Sequence, residues 1–353
     1  MTALATIRGA SYWSRRPVTR MDVVIGAYDD ISSAEAPWVA ERLLAALPGL
    51  VEHRCSIGER GGLVTRLRRG TYAPHIAEHV ALELQEMIGH RAGYGRTRGA
   101  EMPGEYTVVF EHRHAGVGLR AAALALETVQ RAFAGTLEGV EHALHELRAA
   151  AAEPDLPPLT RRVGCAVAGD AHRAEMRARL TRRGIFRAGE VVELSPAYLL
   201  QAGLPYARSR AAIVLDLYPR DVAPTYQEPE RAERLLGVVA DGLTRGGLLV
   251  APAAARETLR AARDAGCRVA LFSATGTPRL RDRESADAAA WLENGRIWYE
   301  SAGGATDLGP PRDDAPVVVQ LAALLTTELL PRDAERAGSD GETKQEVANA
   351  AAE

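Results

Sequence analysis

Pro154, Pro157 and Pro158 end an alanine run, Ala149-Ala-Ala-Ala-Glu-Pro-Asp-Leu-Pro-Pro158, and no helix or central strand passes through such a segment. The chain is therefore read as two folding units with a linker at 153–160. On either side the hydrophobic pattern differs. In 1–152, short strands mix with helices: Asp22-Val-Val-Ile-Gly-Ala-Tyr28 and Tyr106-Thr-Val-Val-Phe-Glu111 read as strands, the second placing Val109 and Glu111 on one face. Helical periodicity covers 36–47, 74–89, 117–133 and 136–152. From 161 to 330 apolar runs suited to buried parallel strands recur at 163–168, 190–194, 211–217, 247–251 and 268–272. Helical patterns at 172–183, 229–245 and 253–265 separate several of them. The fold class is therefore α/β, an N-terminal α+β domain followed by a doubly wound α/β domain. Residues 331–353 are polar and lack periodicity, which predicts a disordered tail.

Within the first domain, His75-Ile-Ala-Glu-His79 is the segment with the clearest chemistry. His75 and His79 are one helical turn apart, so both imidazoles can reach one ion, and Glu78 on the same face can hold an attacking water. The order H-x-x-E-H is the inverse of the commoner zinc-protease motif. Pro74 suits a first turn, and Ile76, Val80, Leu84 and Met87 form an apolar stripe, so the helix reads as half core and half site.

Composition narrows the alternatives. With 353 residues, 46% hydrophobic and 25% charged, the chain resembles a soluble globular protein, and a net charge of −3 gives no nucleic-acid signature. No run is long enough to span a membrane, and no signal peptide is read at the N-terminus, so cytoplasm is the expected location. Cys55, Cys165 and Cys267 are scattered and lack C-x-x-C pairing, against a disulfide framework or a thiolate zinc site. The nine histidines all lie at or before His172, and Lys344 is the only lysine, leaving none in the folded part for a phosphate loop or a Schiff base.

Longer blocks surround the motif: Arg8-Gly-Ala-Ser-Tyr-Trp-Ser14, Leu47-Pro-Gly-Leu-Val-Glu-His-Arg-Cys-Ser56, Arg60-Gly-Gly62, Gly70-Thr-Tyr72, His75 through Gln85, Gly93-Tyr-Gly-Arg-Thr-Arg98 and Val108-Val-Phe-Glu111. Together they resemble the N-terminal domain of cyanophycin synthetases, enzymes that build a polyaspartate chain carrying arginine. The resemblance implies a domain that holds the polymer and, in some members, a hydrolytic site built on H-x-x-E-H. It also implies an ATP-grasp domain next, which this chain does not have after its linker.

The segment that does follow resembles the family's Mur-ligase-like domain, which should open on a phosphate loop ending in Gly-Lys-Thr. Here the corresponding run is Ala168-Gly-Asp-Ala-His-Arg-Ala-Glu175, with acids and neither Lys nor Thr. Further on, Leu215-Asp-Leu-Tyr-Pro-Arg-Asp-Val222 resembles the family's stretch in which an Asp-His pair would help hold metal, with Val222 in place of the His. ATP is therefore not expected as a cofactor, even with Arg173 in the loop, and polymer synthesis by this chain alone is not expected.

The resulting expectation is a zinc-dependent hydrolase of cyanophycin-type Asp/Arg polymer. His75 and His79 are read as ligands and Glu78 as the catalytic base. Glu111 is the first choice for third ligand and Glu83 the second, with His53 and Cys55 as supporting neighbours. Arg60, Arg96 and Arg98 are candidate carboxylate clamps, Glu59 and Glu101 candidate guanidinium acceptors, and Tyr72, Tyr12 and Trp13 candidate stacking platforms. His142 and His145, beside Glu138, Glu141 and Glu146, read as a solvated helix face. The alternative is a non-catalytic module that docks on the polymer or on a full-length synthetase; a second copy of the chain is a further candidate partner.

Overall fold

The computed structural model describes residues 1–26 and 29–330. The chain divides into two compact units, Met1–Pro158 and the residues from Leu159 onward. Residues 27 and 28, part of the first strand read from the sequence, and the tail at 331–353 lie outside the described residues.

The first unit runs β1 (Ala3–Ile7), β2 (Val18–Val24), α1 (Pro37–Ala46), α2 (Gly62–Arg69), α3 (Ala73–Met87), β3 (Gly95–Gly99), β4 (Glu105–Glu111), α4 (Ala115–Phe133) and α5 (Glu141–Ala152). Its sheet has the order β1-β2-β4-β3 and every neighbouring pair is antiparallel. Strand pleat sorts β4 by face. Val108 and Phe110 join Met21 and Val23 in the core with residues of α3 and α4, while Val109 and Glu111 turn the other way. The strand expected over 22–28 begins earlier, at Val18, because Val18 and Thr19 pair with Glu111 and Phe110.

Helix α3 is buried on its core face and on its site face alike. From Ile76 through Gln85 every residue is buried, including Glu78, His79 and Glu83. The site face lies under β3 and the turns around residues 49–57, so the polar side chains sit inside a walled cleft. Phe110 is fully buried in the core. Phe110→Ala is expected to cost about 3–5 kcal/mol, measured as a lower midpoint of denaturant unfolding.

The second unit runs β5 (Arg162–Ala168), α6 (Arg173–Arg182), β6 (Val191–Leu194), α7 (Pro196–Ala202), β7 (Arg208–Val214), α8 (Pro229–Gly237), β8 (Leu243–Pro252), α9 (Arg256–Asp264), β9 (Arg268–Ser273), α10 (Leu280–Glu284), β10 (Ala288–Glu293), β11 (Arg296–Ser301), β12 (Gly304–Asp307) and α11 (Val317–Leu329). Its eight-stranded sheet is ordered β12-β11-β10-β9-β8-β7-β5-β6. The strands from β6 to β10 are parallel, and β11 and β12 extend the sheet antiparallel. Successive residues of β5, β7 and β8 are buried on both faces, as a doubly wound layer requires. The helix expected over 229–245 stops at Gly237, where a 3-10 turn leads into β8.

Because β5 lies between β6 and β7, the strand order reverses there, and a crevice opens beyond the carboxyl ends. The loop after β5 lies at that crevice. Its anion-binding amides are already occupied: the amides of Asp170 and Ala171 donate to the Asp216 carboxylate, at 2.9 and 3.3 Å. Asp170 accepts from Arg220 Nε at 2.7 Å, and Glu175 lies beside His172. The sequence reading placed Asp170 and Glu175 as the groups that would repel phosphate; the acid that fills the nest is Asp216, from the end of the neighbouring strand.

Candidate metal centre and cleft

Helix α3 presents His75, Glu78 and His79 to a cleft of about 940 Å³, whose lining also includes Gly49, His53, Cys55, Arg66, Gly95, Arg96 and Thr97. The His75 and His79 rings meet edge to face, with centroids 4.9 Å apart. Cys55 completes the group. One ligand atom each from Cys55, His75 and His79 lies within 4.8 Å of the others, and the Cys55 Sγ is 3.3 Å from His75 Nε2. The cysteine is held in this position by a left-handed backbone, with φ of +55°, rare for a residue other than glycine.

This donor set fits zinc. One thiolate and two imidazoles are borderline-soft ligands, and three protein ligands leave the fourth tetrahedral position for water, as in catalytic zinc sites. Both histidines are held neutral, as ligation demands. Burial, with the nearby Arg66 charge, lowers the His75 pKa to about 4. Burial again, with His75 and His53 beside it, lowers His79 to about 3.

Glu78 is buried beside the pair and accepts a 2.6 Å hydrogen bond from Thr97 on β3. Burial pushes its carboxyl up to about 7, against the Thr97 bond and the Arg96 charge, which pull it down. Gly95 supplies the room, since a Cβ there would lie 2.5 Å from Glu78 Oε1. The strand facing Glu78 is thus bare backbone where the carboxylate sits.

Neither acid expected as third ligand joins the two histidines. Gly95, where a Cβ would face Glu78, pairs with Phe110, so Phe110 shares the face of β4 that meets α3 and Glu111 points to the opposite face. There its carboxylate engages Arg16 at 3.0 Å and accepts from the Gly93 amide at 3.2 Å. Glu83 lies 3.1 Å from His53 Nε2 instead. Cys55 takes the place assigned to them, which the sequence reading had given only a supporting role.

Of the proposed substrate residues, Arg96 lines the cleft. Arg60 pairs with Glu52 at the surface. Arg98 lies over the rings of Tyr12 and Trp13, 5.7 and 6.0 Å from their centroids, and both rings are buried. Tyr72 is half exposed but does not line the cleft. His142, next to Glu146, is largely solvent-exposed.

Residues 20–134 match the cyanophycin synthase-like N-terminal domain family. Cyanophycin synthetase of Synechocystis sp. is 42% identical over 163 residues, covering 44% of this chain and 18% of that protein. Cyanophycin synthetase of Trichormus variabilis is 44% identical over 131 residues, covering 36% of this chain and 14% of that protein. The chain thus spans less than a fifth of the length of each of these relatives. Among solved structures, a murein peptide ligase from Psychrobacter arcticus aligns at a TM-score of 0.31 and 12% identity, covering 48% of this chain and 44% of that one. A UDP-N-acetylmuramoylalanyl-D-glutamyl-2,6-diaminopimelate–D-alanyl-D-alanyl ligase from Acinetobacter baumannii aligns at 0.29 and 13%, covering 66% and 50%. Both likenesses are too slight to assign anything to this chain. No described helix is long and apolar enough to cross a membrane.

Proposed function

We propose that the first unit is a zinc-dependent hydrolase of peptide-type bonds, acting on a cyanophycin-like Asp/Arg polymer. The observation that carries this reading is the convergence of Cys55, His75 and His79 beside the buried carboxylate of Glu78, in a cleft open enough for a chain substrate. Cys55, His75 and His79 would hold the zinc ion, which when bound would supply an acidified water and polarise the scissile carbonyl. Glu78 takes a proton from the attacking water and returns it to the leaving amine. Thr97 fixes one Glu78 oxygen and leaves the other for this transfer. Arg96 on β3 lines the same cleft and is the cation placed to receive a substrate carboxylate. The polymer is brought to the reading by the relatives, whose names state that they are cyanophycin synthetases.

Incubating purified protein with polymer, with zinc and after chelation, tests this directly. Cleavage that needs the metal supports it; no cleavage by zinc-loaded protein removes the catalytic reading, and retention on polymer that survives chelation would favour a binding module.

The second unit we read as a scaffold without ATP chemistry. Asp216 holds the two loop amides that a phosphate would need, and Arg173 is turned onto the carbonyls of Gly169 and Asp170. Isothermal titration with Mg-ATP is expected to show no saturable heat. A micromolar site abolished by Arg173→Ala would overturn this and restore a ligase reading.

A further inference from the structure

Each imidazole in the candidate metal centre has a second ring nitrogen, and each of those nitrogens has a partner. His75 Nδ1 is 2.7 Å from Thr71 Oγ1. His79 Nδ1 is 2.9 Å from His53 Nδ1, and His53 Nε2 is 3.1 Å from Glu83 Oε2. Two ring nitrogens share a hydrogen bond only when one carries the proton and the other does not.

Glu83 decides which. Its side chain is only 7% exposed, so its carboxylate needs a donor, and His53 Nε2 faces it. A neutral His53 protonated at Nε2 has a bare Nδ1. His79 must then donate from its own Nδ1, which leaves the Nε2 lone pair for an ion. The loop is shaped for this arrangement: a Cβ at Gly49 would lie 2.0 Å from Glu83 Oε1, so the carboxylate is seated against bare backbone.

We propose that Glu83 and His53 form a two-residue relay that fixes His79 as the Nδ1–H tautomer and so selects Nε2 as its ligand atom. Both are positioning residues and neither is a ligand. Thr71 Oγ1 holds the His75 ring by its Nδ1, with His75 Nε2 toward Cys55, but a hydroxyl that both donates and accepts selects no tautomer there. The proposal rests on the metal reading of Cys55, His75 and His79, but its tests need no polymer.

The first test is a long-range proton–nitrogen correlation spectrum of the histidine rings in the metal-free full chain, assigned with single His→Gln variants. His79 is expected as the Nδ1–H tautomer and His53 as Nε2–H; His79 protonated at Nε2 instead overturns the relay. The second is zinc affinity by chelator competition. His53→Phe, which keeps ring volume without nitrogens, is expected to weaken binding by about 10–100-fold, and Glu83→Ala to act in the same direction. The double variant should bind no more weakly than His53→Phe alone, because Glu83 acts only through His53. Unchanged affinity in His53→Phe, or full additivity in the double variant, overturns the relay while leaving the metal site. Should His53→Phe fail to fold, the wild-type spectrum decides. Wild-type protein that binds no zinc overturns relay and metal reading together, whereas zinc bound without polymer cleavage sinks the hydrolase reading alone.

Discussion

Zinc-loaded protein carrying Glu78→Gln is expected to cleave the Asp/Arg polymer about 10²–10⁴-fold more slowly than wild type, with its zinc content unchanged. The substitution keeps the side-chain volume against Gly95 and keeps an oxygen that can accept from Thr97, so the cleft wall is preserved. What is lost is the ability to take up a proton. Rates from polymer-release assays, paired with metal analysis of the same samples, separate the outcomes. Unchanged cleavage would remove Glu78 from the chemistry; zinc lost together with activity would make it a ligand.

Cys55→Ser is expected to lower zinc affinity by at least about a hundredfold, at or beyond the upper end of what outer-shell changes cost. The serine hydroxyl is nearly isosteric but does not ionise as a thiol does, so the site falls back to the two imidazoles of α3. Glu111→Gln should leave the affinity unchanged, because that carboxylate engages Arg16 and the Gly93 amide on the opposite face of β4. The pair of variants discriminates between two ligand sets by chelator competition. An intact affinity in Cys55→Ser with a lost one in Glu111→Gln would reverse the assignment made from the geometry.

The contrast between those two residues shows how far the sequence could be read. The helix at 74–89 and the strand ending at Glu111 were legible because their hydrophobic periods are long and regular, and the motif on α3 needed only helical spacing. The alternation in β4 correctly put Val109 and Glu111 together. It could not say which face meets α3, and that face excludes Glu111. Cys55 lies in a turn without periodicity and reaches His75 through a left-handed backbone, a conformation that residue type alone does not announce. Its one sequence signal was its place, with His53, in the Leu47–Ser56 block that carries the family resemblance. Strand β3, Gly-Arg-Thr-Arg-Gly, was missed because a sheet-edge strand of this composition has no apolar alternation to detect. The alanines that open β10 hid a buried strand in the same way, since alanine favours helices and packs in either state.

Gly95 extends the signature of such a site beyond the helix that bears the motif. The buried carboxylate sits against a strand position without a side chain, where even a methyl group would lie 2.5 Å from Glu78 Oε1. Two chains of this kind could therefore share His, Glu and His at identical spacing and differ in whether the acid has anywhere to sit. Among related sequences, a larger residue at the position of Gly95 should mark those in which the helix persists as scaffold after the chemistry has gone. A survey for hydrolytic members would do better to require the glycine on the strand together with the histidines than to search for the five-residue motif.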